Sequence, residues 1–251
     1  MQRTRWTTDH VIDELREQIA DAQKQYRGRL DAFRANAPTE LAAYHRFLSF
    51  HYHLSHAAYG AFVRVADCPR ISELPRFRRF LKTFAASQKM HHTATAVDLR
   101  ALGLSILPRT FDVALWHGSL DTVAEERPFV RIGAAVIMEN LPDRIVGREL
   151  ASARETDISQ RENRDLLLVL HLLDTRGSGG RLLEALAEAP LTPQDLSELL
   201  LGAKLGTALY LRMIDWALER DAITEANPTP SRAFVMAVSY THLTLPTIYS
   251  V

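Results

Sequence analysis

Apolar residues recur at helical intervals along most of this chain, and runs with the alternation of a β-strand are nearly absent before residue 235. The segment "TTDHVIDELREQIADAQKQYRGRLDAFRAN" opens on Thr7 and Thr8, either of which can cap a helix. Val11, Ile12, Leu15, Ile19 and Ala22 then fall on one face. A second helix is predicted from Thr39, with Leu41, Tyr44, Phe47, Leu48, Tyr52 and Phe62 on its apolar side and a break at Cys68-Pro69. A third starts at Pro75, tolerated in a first turn, and runs to about Leu102, where Gly103 ends it. "TFDVALWHGSL", within 108–127, predicts a short helix and a turn, and "PFVRIGAAVIMEN" (128–140) a buried helix. Further helices are expected over about 143–153, from Asp157 or Ser159 through "DLLLVLHLLD" to Gly177, and over 180–189. Thr192-Pro193 opens the last long one. The fold class is therefore all-α, a single helical domain over 1–237 of about seven or more helices.

Composition narrows the function only by exclusion. Lys plus Arg and Asp plus Glu both number 30, so no net charge favours nucleic acid or an anionic membrane. The basic stretch "RFRRFLK" (76–82) interleaves Phe and Leu with its charges and reads as one solvated helix face. A lone Cys68 excludes a disulfide within the chain, and the N-terminus carries no apolar core of signal-peptide length; both fit a cytoplasmic protein. No apolar run is long enough to span a bilayer. The end of the chain differs in composition, and "SYTHLTLPT" (239–247) resembles a translated transposase adapter from sequencing libraries. Residues 238–251 are accordingly expected to be read-through, with a genuine β-prone tail as the alternative.

Polar residues inside apolar periodicity raise the question of chemistry. His91 and His92 lie in the third helix, Glu139 follows "AAVIM", and His171 and Asp174 follow "LLLVL". A buried carboxylate is costly unless it is paired or bound to a cation. Helices that present His or acid to one interior make a metal site in a bundle, and imidazole with carboxylate suits iron, zinc or manganese. His171 and Asp174 are three apart, as are Gln88 and His91, so each pair shares a helix face. Structural roles compete with this reading. Asp174 can bind Thr175 or Arg176, Glu139 can pair with Arg131 or Arg144, and a lone core His usually has a backbone partner. His45, His51, His53 and His56 read as core packing or pocket lining, Trp116 and His117 as a lid or packing element, and Cys68 as a buried thiol.

The order of "FLSFHYHLSHAAYGAFVRVA", "LPRFRRFLKTFAASQKMHHTATAVDLRALG", "RPFVRIGAAVIMENL", "HLLDTRGSGG" and "LLGAKLGTALYLRMIDWAL" resembles the haem-oxygenase-like superfamily, across roughly residues 40–220. More narrowly it is similar to the iron-containing redox enzymes, the haem-oxygenase-like di-iron oxidases. The resemblance implies metal ligands at His91, Glu139, His171 and Asp174, and Fe(II) as cofactor. It also implies O₂ and a small organic molecule as substrates, and leaves a homodimer open. Departures are clear: Ser87 and Gln88 stand where the family carries acids, and Gly177 where a second late His belongs. About two of six donors are lost, so a single iron is expected, with Gln88 as a weak amide donor. The alternative implied by the same departures is a metal-free relative that binds a ligand or a partner protein.

Overall fold

The computed structural model describes residues 7–36, 40–141 and 178–218. Among these every regular element is helical: α1 (Thr8–Asn36), α2 (Glu40–Asp67), α3 (Pro69–Ser72), α4 (Pro75–Ala101), α5 (Phe111–Trp116), a π-turn (His117–Asp121), α6 (Pro128–Asn140), α7 (Ser178–Ala187) and α8 (Pro193–Ala217). The all-α reading holds. The helices expected over 143–153 and 157–177 lie outside the described residues, as does the tail from 238.

Local signals act where the sequence places them. In α1 the predicted face is the buried one: Val11, Ile12, Leu15, Ile19 and Ala22, followed by Tyr26. Thr7 accepts from the amide of His10 through its hydroxyl and from that of Val11 through its carbonyl. Gly103 stops α4 as expected, because its φ of +67° costs a glycine little. The Leu104 amide returns to the Leu99 carbonyl and the Gly103 amide to that of Arg100, the Schellman pattern that satisfies the last carbonyls of a helix. The "RFRRFLK" stretch also behaves as read: Phe77 and Leu81 are buried, while Arg78 and Lys82 pair with Asp67.

At the start of α8, Thr192 accepts from the Asp195 amide while the Asp195 carboxylate accepts from the Thr192 amide, a reciprocal capping box. Arg70 of α3 donates to the same carboxylate, so the cap also ties α8 to the α2–α4 connection. Thr192→Ala is expected to cost about 1 kcal/mol, read as a melting temperature lower by roughly 2–4 °C in a thermal scan. No change would show that the cap contributes nothing beyond the Arg70 tie.

α2 and α4 run antiparallel, with Phe62 edge-on to Phe84 and Arg78 reaching the Ala66 carbonyl. α6 occupies the centre and is buried at every residue from Pro128 to Ile137, as expected of a helix apolar on all sides. It lies parallel to α8 at unusually close range. A Cβ on Gly202 would stand 2.0 Å from the Val130 carbonyl oxygen, and one on Gly133 2.1 Å from that of Leu199. Ion pairs from Arg29 to Asp215 (2.9 Å) and from Arg212 to Asp112 (2.7 Å) fasten α8 to α1 and α5. No helix among the described residues is long and apolar enough to cross a membrane.

Candidate functional site

Between α1, α2, α4, α6 and α8 the core contains a set of polar side chains. α4 contributes Gln88, only 1% exposed, whose amide nitrogen donates to Glu139 Oε1 of α6 at 3.2 Å. One turn further along α4, on the same face, stands His91. Buried His51 of α2 meets the Tyr210 hydroxyl of α8 across 3.0 Å, and its ring lies among Phe47 and Phe50. Tyr26 of α1 is buried and within electrostatic reach of Tyr210.

Burial dominates the electrostatics of this cluster. It pulls the His51 imidazole down to about 3, with a smaller push in the same direction from His91. Burial likewise lowers His91 to about 4. Both rings are therefore neutral near pH 7, the form in which imidazole ligates a metal. The Tyr210 phenol is raised well above its ordinary range, first by burial and then by Tyr26 and the Glu139 carboxylate. Tyr210 thus keeps its proton and remains available as a hydrogen-bond donor.

Of the four expected ligands, His91 and Glu139 belong to this cluster, and His171 and Asp174 lie outside the described residues. Among the described residues no three His, Cys, Asp or Glu side chains come together as a metal-holding group. The residues present fit a metal in part. They supply a carboxylate and neutral imidazoles, a mixed nitrogen and oxygen set that suits iron, manganese or zinc. A complete shell would need donors from 142–177. Gln88 stands against Glu139, with its amide nitrogen donating to Oε1.

The structure separates His91 from its neighbour. His92 turns to the α2 side, where its ring packs on Tyr52 at 4.5 Å and on His56 at 5.0 Å. Arg131, one partner considered for Glu139, is committed elsewhere: its Nε donates to Asp121 Oδ1 at 2.6 Å. The other Asp121 oxygen meets His117 Nδ1 at 2.5 Å. The Arg131 guanidinium lies 4.4 Å from the Phe62 ring centroid and 5.5 Å from that of Trp116, so Trp116 is a packing element. Cys68 is buried, which pushes its thiol up and fits the unreactive reading.

Two more histidines have a role that the sequence reading did not assign. His45 bonds the Ser105 carbonyl at 2.6 Å and His53 the Leu107 carbonyl at 2.8 Å. Ser49, midway between them on the same face, accepts from the Leu107 amide. The stripe staples the extended stretch after Gly103 to α2, in place of the pocket lining or core packing expected. His51 is a core histidine, as read, and Tyr26 and Tyr210 are the members of the cluster that sequence reasoning missed. A signal existed for the tyrosines, since each sits on a buried face of a helix, where a phenol needs a partner for its hydroxyl. Neither protein-family models, nor curated proteins, nor solved structures give a match to this chain, so the site is defined by its own geometry.

Proposed function

We propose that the chain is a non-haem iron-dependent oxidoreductase that acts on a small organic molecule with O₂, built on a haem-oxygenase-like bundle. The observation that supports this reading is a polar cluster in which Gln88 meets Glu139, His51 meets Tyr210, and the His51 and His91 imidazoles are held neutral. His91 and Glu139 would hold the iron together with His171 and Asp174 from the segment that precedes α7. When bound, iron supplies the electron transfer to O₂ that no side chain can perform. The chain's own contribution is to exclude water and to keep a proton at hand. Tyr210 retains its hydroxyl proton within electrostatic reach of Glu139, and His51 meets that hydroxyl at 3.0 Å. Apolar walls from Phe47 and Phe50 complete the enclosure on the α2 side.

A second reading has its own support. The Gln88 amide donates to Glu139, which gives the buried carboxylate a partner without a cation. Together with Ser87 and Gly177 this favours a metal-free relative that binds a ligand or a protein. Anaerobic loading with Fe(II) separates the two. About one equivalent of iron per chain is expected, lost in His91→Ala, Glu139→Ala and His171→Ala alike while helicity is retained. Restoring donors with Gln88→Glu and Gly177→His is expected to raise loading above the native value. A correctly folded native chain that takes up no iron belongs to the metal-free reading.

A further inference from the structure

We propose that His56 of α2 and His92 of α4 form a separate, solvent-facing station for a divalent transition-metal ion. The inference does not rest on the iron reading, because it uses different side chains on a different face of α4. His45, His51, His53 and His117 each have a ring nitrogen in a hydrogen bond. His56 and His92 form none among the described residues, and the buried Nε2 of His92 is left without a partner. Their rings lie 5.0 Å apart, crossing at 71°, with Tyr52 packed against both.

A buried ring nitrogen with no partner loses its hydration without compensation, and a metal ion delivered from solvent supplies what is missing. His56 is exposed and has no hydrogen bond to break, so its ring can turn until one nitrogen shares an ion with His92. The helices bring the residues together from 36 positions apart, and the antiparallel packing of α2 on α4 fixes their backbones. Two imidazoles select copper, nickel or zinc over magnesium or calcium. With only two protein donors the remaining positions are left to water, so the ion exchanges readily. Such a station suits metal capture at the surface. It lies next to the inward-facing part of α4, since His91 is the adjacent residue.

Titration of the full chain with Cu(II), followed by calorimetry and by electron paramagnetic resonance, tests this. About one equivalent is expected to bind with a two-nitrogen hyperfine pattern. His56→Ala and His92→Ala should each weaken that equivalent at least about tenfold and reduce the pattern to one nitrogen. The double variant should lose more than either single one, with no nitrogen pattern left, because it removes both ring donors. His10→Ala and Glu139→Gln should leave the equivalent in place. Because His92 is half-buried, the exposed His56→Ala decides the matter, with helicity and melting unchanged. Copper affinity identical to the native chain in His56→Ala would overturn the proposal, and so would loss of this equivalent in Glu139→Gln.

Discussion

Gly202→Ala is expected to destabilise the chain by at least about 3 kcal/mol, the largest effect foreseen for adding one methyl group. The added Cβ would stand 2.0 Å from the Val130 carbonyl oxygen and 2.9 Å from its Cα, both backbone atoms of the central helix α6. A side chain could rotate away; a helix backbone cannot. α6 is buried from Pro128 to Ile137, so moving it disturbs contacts on every side. Gly133 meets Leu199 in the same seam and Gly206 meets Ala134, so displacing α8 at one point opens all three approaches. The control is Gly28→Ala in α1, where a Cβ would find nothing within 4 Å. That change removes backbone freedom from a helix interior and is expected to stabilise by roughly 0.5–1 kcal/mol. Urea unfolding of both variants checks the pair, and a Gly202→Ala midpoint equal to the native one would mean that α6 and α8 do not approach as described.

Lowering the pH from about 6.5 to 3 is expected to remove stability from the metal-free chain, His51 alone accounting for on the order of 5 kcal/mol. The sign follows from which state takes the proton. In the unfolded chain His51 titrates near its ordinary 6.5, whereas in the folded chain burial holds it at about 3. Between these values the unfolded state binds more protons, so stability rises with pH and is lost on acidification. His91, lowered to about 4, adds to the same slope over a narrower window. Asp121 acts lower still. Burial alone would raise its carboxyl, but Arg131 and then His117 reverse this and leave it below the ordinary carboxylate range. Its contribution is therefore present above that range and vanishes as the acid protonates. Urea midpoints measured across this interval should fall steadily as pH is lowered, and His51→Gln should lessen the slope throughout, leaving no imidazole contribution between about pH 4 and 3. A midpoint constant between pH 7 and 4 would show that neither imidazole is buried in its neutral form.

What could be read without coordinates was local. The apolar face of α1, the stop at Gly103, the proline starts of α4 and α6 and the Thr192 cap all depend on residues within about a turn of one another. Such signals are written along the chain, and the structure follows them. The site was legible as a list of unusual residues, but not as a constellation. Glu139 was recognised as an acid in an apolar run, yet its neighbour Gln88 and the exclusion of Arg131 depend on how α4 and the π-turn sit against α6. His51 looked like one of several histidines on α2. Only its placement opposite Tyr210 separates it from His45 and His53, which hold the stretch after Gly103.

The all-α class and, among the described residues, the long helices and most of their ends were thus determined by the sequence alone, because capping and periodicity are short-range. Which polar groups share the interior was decided by tertiary structure. Adjacent residues on a helix point about 100° apart, so a small change in how α4 rolls against α2 would exchange His91 for His92. That roll is set by the collective fit of many side chains, and it is visible only once the helices are packed.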